Sequence, residues 1–296
     1  MKQPWETVTG PGTLDDMIED ARAAGFDIQK RTVTDWIARG LLDRPRRRGA
    51  GRGSSPGLHS ENQRKLFLLL LTKREEMPKL PALAVIPLTI WLWWGDEWVP
   101  RRQALKALTT WFGDGARSKE VCQEAARGLL QQLDHPMASD TARTRLVRTF
   151  TEISYRGAMS DTARAELETA VREVFEPPSV FKTTGMVRAV GPHTLPLTIE
   201  AVLGRASALA AAVQTLTGKH VTEELLGRAK ALYQQSKREY AELRPALAAH
   251  TDGPLSELFS ERSVEDEVNS VGNDLVLSIG LLLTSPRAQT EFPRAL

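Results

Sequence analysis

A single cysteine, Cys122, stands among 296 residues. A lone thiol forms no internal disulfide and supplies no multi-thiolate metal site, and it fits a reducing compartment. Histidine is almost as sparse. His59, His135, His193, His220 and His250 are scattered, and no two have the spacing that brings two ligands to one helix face. A serine-nucleophile elbow, a phosphate-cradling glycine loop and a zinc signature are all missing. Gly49–Gly53 has glycines but follows no strand, so it makes a poor dinucleotide loop. The sequence therefore predicts no enzyme chemistry, no cofactor and no metal. Long apolar runs are lacking too. The longest, near Leu66–Leu71 and Leu83–Trp94, fall short of the ~18–20 residues a membrane span needs. Pro4, Trp5 and Glu6 replace the apolar core of a signal peptide. The expectation is a cytoplasmic protein with no membrane partner.

The net charge is only +2, so any affinity for polyanions must come from how the charges are placed. Residues 1–79 hold 15 Lys and Arg against 11 Asp and Glu, a surplus of four. Within them, Arg44, Arg46, Arg47, Arg48 and Arg52 form a run that a single acidic residue, Asp43, precedes and none interrupts.

The segment around that run has a recognisable order. Thr13 is a good N-cap, with Asp15 and Asp16 where the helix dipole favours them. Leu14, Met17, Ile18 and Ala21 recur at helical spacing, and Gly25 suits a helix end. Asp27 is the candidate cap of a second helix whose inward face is Ile28, Val33, Trp36, Ile37 and Leu41. Gln29, Lys30, Arg31 and Thr34 fall on the opposite face near its start, where a helix in the major groove presents polar groups to base edges. Gly40, Leu41 and Leu42 end it. The Arg-, Gly-, Pro- and Ser-rich loop Asp43–Gly57 has the composition of a wing that meets phosphates. Ser60 then caps a third helix, with Gln63 in the capping-box position and Arg64 and Lys65 available near its start.

Thr32-Val33-Thr34-Asp35-Trp36, Gly40-Leu41-Leu42, Pro45, Arg46, Gly53 and His59 together resemble the N-terminal domain of the mercury-resistance regulator (MerR) family, over roughly residues 13–77. Thr34, Asp35 and His59 stand where that family often has arginine, an aromatic residue and tyrosine. The resemblance implies a winged helix-turn-helix that binds double-stranded DNA. The family's dimerising coiled coil is interrupted here by Pro78, Pro81 and Pro87.

Residues 80–87 therefore read as a linker between a DNA-binding domain, 1–79, and a helical domain, 88–296. In the latter, Trp91 to Trp111 is aromatic-rich, a composition more typical of core than of a ligand cage. Helical periodicity covers Arg101–Phe112, Lys119–Leu133, Asp140–Tyr155, Asp161–Phe175, Leu197–Thr217, Val221–Ala249 and Val264–Leu283. Asp140-Thr141-Ala142-Arg143 recurs as Asp161-Thr162-Ala163-Arg164. Pro177–Pro196 reads as a loop.

The expected fold is mainly α: an N-terminal winged helix-turn-helix with a small β wing, then an all-helical C-terminal domain. The expected function is sequence-specific DNA binding in transcriptional regulation. Gln29, Lys30, Arg31 and Thr34 would face the groove, and Arg46, Arg47, Arg48, Arg52, Arg64 and Lys65 the backbone. A homodimer through the C-terminal helices is the expected assembly, with an effector unspecified. The alternative is an excisionase-like architectural accessory of recombination or plasmid maintenance.

Overall fold

The computed structural model describes residues 3–46, 56–114, 118–181, 188–189, 197–250, 259, 261 and 263–293. It is mainly helical and has no sheet among the described residues. Two isolated antiparallel bridges join described residues, Gly12 with His59 and Arg46 with Leu58. The chain divides into two compact units, residues 1–115 with 267–272, and residues 116–266 with 273–296.

The first unit opens on a 3-10 turn, Pro4–Thr7, followed by α1, Leu14–Ala23, and α2, Lys30–Ala38. Thr13 caps α1 as its sequence predicts, and its backbone N–H donates to Asp16 Oδ2 at 2.6 Å, completing a capping box. Two further local expectations differ. Asp27 caps nothing; the N-cap of α2 is Gln29, whose side chain makes no capping bond. Ser60 does cap α3, Glu61–Lys73, but the Gln63 side chain is used elsewhere. Val33 and Trp36 of α2 are buried, as are Leu66, Phe67 and Leu70 of α3. Trp36 and Phe67 sit edge to face, 5.7 Å between centroids, a geometry worth about 0.5–1.5 kcal/mol beyond burial.

Residues 80–87 are not a linker. They form α4, Leu80–Leu83, and the start of α5, Val85–Trp94. Pro81 falls at the start of α4 and Pro87 in the first turn of α5, where the missing N–H would have had no partner in the helix anyway. Leu83, Val85, Leu88 and Trp91 are buried. α6, Arg101–Asp114, packs against both α4 and α5. The compact unit therefore runs well past residue 79, because these apolar side chains have nowhere else to be buried.

The second unit holds α7, Lys119–Leu133; α8, Asp140–Arg156; α9, Asp161–Phe175; α10, Ile199–Thr217; and α11, Glu223–His250. α12, Val264–Thr284, of which residues 267–272 are counted with the first unit, and α13, Pro286–Glu291, follow. Leu133, Leu146, Ile153, Leu167, Val171, Phe175, Ile199 and Val202 share one core. The Asp-Thr-Ala-Arg recurrence marks the first turns of α8 and α9, and the caps are the preceding Ser139 and Ser160. α12 comes so close to α10 that a Cβ on Gly280 would lie 1.9 Å from the Ala208 carbonyl oxygen. Along α12, Leu275, Ile279 and Leu282 are buried, whereas Val264 is 82% exposed. α10 alone among the described helices is long and apolar enough to cross a membrane, and half of that stretch is buried in the protein.

Candidate nucleic-acid interface

The face of α2 opposite Val33 and Trp36 is exposed from Gln29 to Arg31 and again at Thr34. The side chains of Gln29 and Arg31 make no hydrogen bond or ion pair among the described residues. Lys30 pairs with Asp15 across an exposed gap between α1 and α2, a contact of the surface kind worth about 0–1 kcal/mol. Thr34 donates its hydroxyl to the Lys30 carbonyl at 3.2 Å, so this side chain is turned along its own helix.

Gly40 ends α2 with φ +77°. The turn it makes lets the Leu41 and Leu42 amides donate to the Trp36 carbonyl, at 2.9 and 3.3 Å. It also brings the backbone against α6, where a Cβ on Gly40 would lie 2.4 Å from the Ala107 nitrogen. The next residues are held by a buried polar network. The Asp43 amide donates to Gln63 Oε1 at 2.7 Å, and Gln63 Nε2 donates to the Trp98 carbonyl and to Gln103 Oε1. Gln103, itself 1% exposed, donates to the Leu41 carbonyl at 2.9 Å. Arg102 of α6 closes the network from outside, donating Nε and Nη2 to the two Asp43 oxygens at 2.9 and 2.5 Å.

Beyond Asp43 the chain turns outward. Arg44 and Arg46 are exposed, and Arg46 exchanges both backbone hydrogen bonds with Leu58, at 2.8 and 3.0 Å. That bridge closes the Arg-rich loop at its base. Arg47, Arg48 and Arg52 lie outside the described residues.

His59 and Gly12 likewise exchange backbone bonds, at 2.7 and 3.0 Å. The N-terminal arm, the residues before α1, is thus tied down. Glu61 accepts from the Gly10 amide at 3.0 Å, and the 3-10 turn packs on α3. The His59 ring is 2% exposed and its Nδ1 has no partner. Burial pushes its pKa below the ordinary 6.5, and the nearby Asp43 charge opposes that shift only in part.

Two predicted phosphate contacts on α3 are otherwise engaged. Arg64 donates Nε and Nη2 to the two Asp20 oxygens, both at 2.9 Å, and Nη1 to the Thr9 and Gly10 carbonyls. Its side chain is only 11% exposed. Arg64 is a clamp between α1, α3 and the arm, and leaves no face for a phosphate. Lys65 is bound to Glu61, 2.6 Å away, one helical turn earlier.

The sequence reading missed the contribution of α6. Arg102, Gln103 and Lys106 line a cleft of about 470 Å³ together with Ile37, Leu42, Asp43, Arg44, Pro45 and Arg46. The i, i+4 spacing of Arg102 and Lys106 puts both on one helix face, a signal that means little until the helix is known to lie beside the loop. The described residues hold no cluster of His, Cys, Asp and Glu that could bind a metal. No family model matches this chain, and neither a curated protein nor a solved structure is significantly similar to it.

Proposed function

We propose that the protein is a sequence-specific DNA-binding transcriptional regulator with a winged helix-turn-helix in residues 13–77. In this reading α1 and α2 are the helix-turn-helix and α2 lies in the major groove. The loop between Arg46 and Leu58 is the wing. One observation carries it: at the exposed start of α2 the Gln29 and Arg31 side chains have no partner among the described residues, and the base of the Arg-rich loop is closed by the Arg46–Leu58 bridge. A groove-reading helix needs polar side chains uncommitted at its N-terminal end, and a backbone contact needs cations on a fixed base. Arg64 takes no part, because its guanidinium is committed to Asp20. The second unit supplies self-association, so that two copies meet half-sites about 34 Å apart.

The test is competition binding with a bound genomic site and a scrambled duplex at fixed salt. Replacing Arg46, Arg47 and Arg48 with Ala is expected to weaken both complexes and to flatten the salt slope by up to about one unit per lost contact. Arg31→Ala is expected to narrow the gap between the two duplexes by about 1–3 kcal/mol while sparing the scrambled complex. A chain with no affinity for duplex DNA, or a triple variant with the wild-type salt slope, would refute the reading.

A further inference from the structure

From the cleft between α6 and the loop base we infer a phosphate seat, in which Lys106 and Arg44 hold a phosphate group beside the wing. It rests on the DNA-binding reading for the source of that phosphate, which is the duplex backbone, and it adds a contact from a helix outside the helix-turn-helix. Four cations and one carboxylate line the cleft. The carboxylate is spent: Asp43 accepts from Arg102 Nε and Nη2. Arg44, Arg46 and Lys106 have no carboxylate partner among the described residues. Three uncompensated positive charges around one concavity repel each other, and an anion placed among them relieves all three at once.

Parts of the frame that carries these side chains are held in place before any ligand arrives. The Arg46 backbone is fixed by its bridge to Leu58. The stem of Lys106 packs on Gly40, whose bare backbone leaves a Cβ placed there only 2.5 Å from Lys106 Cβ. Gln103 and Gln63, both buried and hydrogen-bonded, fix the floor. Two arginine forks with a lysine point charge suit the several oxygens of a phosphate better than the two of a carboxylate. Ile37 of α2 and Arg46 of the loop line the same space, so a backbone phosphate between groove and wing falls at its mouth.

The experiment measures duplex affinity of the full-length chain against salt for wild type, Lys106→Gln, Arg44→Gln and Lys106→Arg. Lys106→Gln keeps the stem that packs on Gly40, and tryptophan fluorescence in urea checks that each variant folds. Each Gln variant is expected to flatten the log–log slope by about 0.9, the value for one lost phosphate contact. Lys106→Arg is expected to keep the wild-type slope. Wild-type slopes in both Gln variants would overturn the seat while leaving the DNA-binding reading intact. If wild type binds no duplex, that reading fails, and calorimetric titration with pyrophosphate decides the seat. Saturable heat that Lys106→Gln abolishes would keep the seat with a soluble phosphate as its ligand, and its absence would overturn it.

Discussion

Gly40→Ala separates two roles that one residue performs. The backbone there has φ +77°, and an added methyl would meet the Ala107 nitrogen at 2.4 Å and Lys106 Cβ at 2.5 Å. The left-handed conformation costs a residue with a Cβ about 1–2 kcal/mol. Forcing a methyl into a closed contact with helix backbone adds about 1–3 kcal/mol more, since α6 has to move. Together these reach about 2–5 kcal/mol, a large share of the ~5–15 kcal/mol that holds a typical domain folded. Gly25→Ala is the control. Its φ is +88° and nothing lies within 4 Å of the added methyl, so only the backbone cost applies. All seven tryptophans (Trp5, Trp36, Trp91, Trp93, Trp94, Trp98 and Trp111) belong to the first compact unit. Fluorescence-detected urea unfolding therefore reads that unit alone. With a slope of about 1–3 kcal/mol per molar urea, Gly40→Ala should unfold roughly 1 M earlier than Gly25→Ala at unchanged slope. Equal midpoints for the two variants would refute the close approach of α6.

Two other perturbations test neighbouring assignments. Arg64→Gln leaves the partly buried Asp20, 19% exposed, without its partner, so a loss of about 1–3 kcal/mol in the same assay is expected, the cost of an acceptor stripped of its donor away from water. The salt slope of DNA binding should not change, and a flatter slope at wild-type stability would return Arg64 to the phosphate contacts. His59 predicts a pH dependence. Its pKa is depressed in the folded unit, so below the unfolded value of 6.5 the unfolded chain binds more protons. Its contribution is therefore fully present above that value and lost as pH falls from it towards the folded pKa. Urea midpoints followed from about pH 7.5 to 5 should fall more steeply for wild type than for His59→Gln, and parallel curves would show that the ring does not titrate on unfolding.

The parts of this molecule legible in its sequence are those that physics decides within one or two helical turns. Thr13 and Ser60 announce helix starts because a cap acts three residues away, and Val33 and Trp36 announce an inward face because they recur at helical spacing. Errors begin where a partner is distant. Arg64 reads as a surface cation, yet its carboxylate lies 44 positions earlier. Gln63 reads as half of a capping box, yet its bonds go to Asp43, Trp98 and Gln103, between 20 and 40 positions away. Pro81 and Pro87 read as breaks, and only the burial of Leu83, Leu88 and Trp91 shows that they start helices. The phosphate seat belongs to the same class. Gly40 looks like an ordinary helix stop, and its lack of a side chain matters twice only because α6 comes to rest upon it. That approach carries Arg102, 59 positions after Asp43, and Lys106 one helical turn later to the loop's own base. A Cβ at position 40 would push α6 outward and widen the cleft. The seat should therefore weaken together with the packing, and a Gly40→Ala chain that remains folded should show the flatter salt slope of Lys106→Gln.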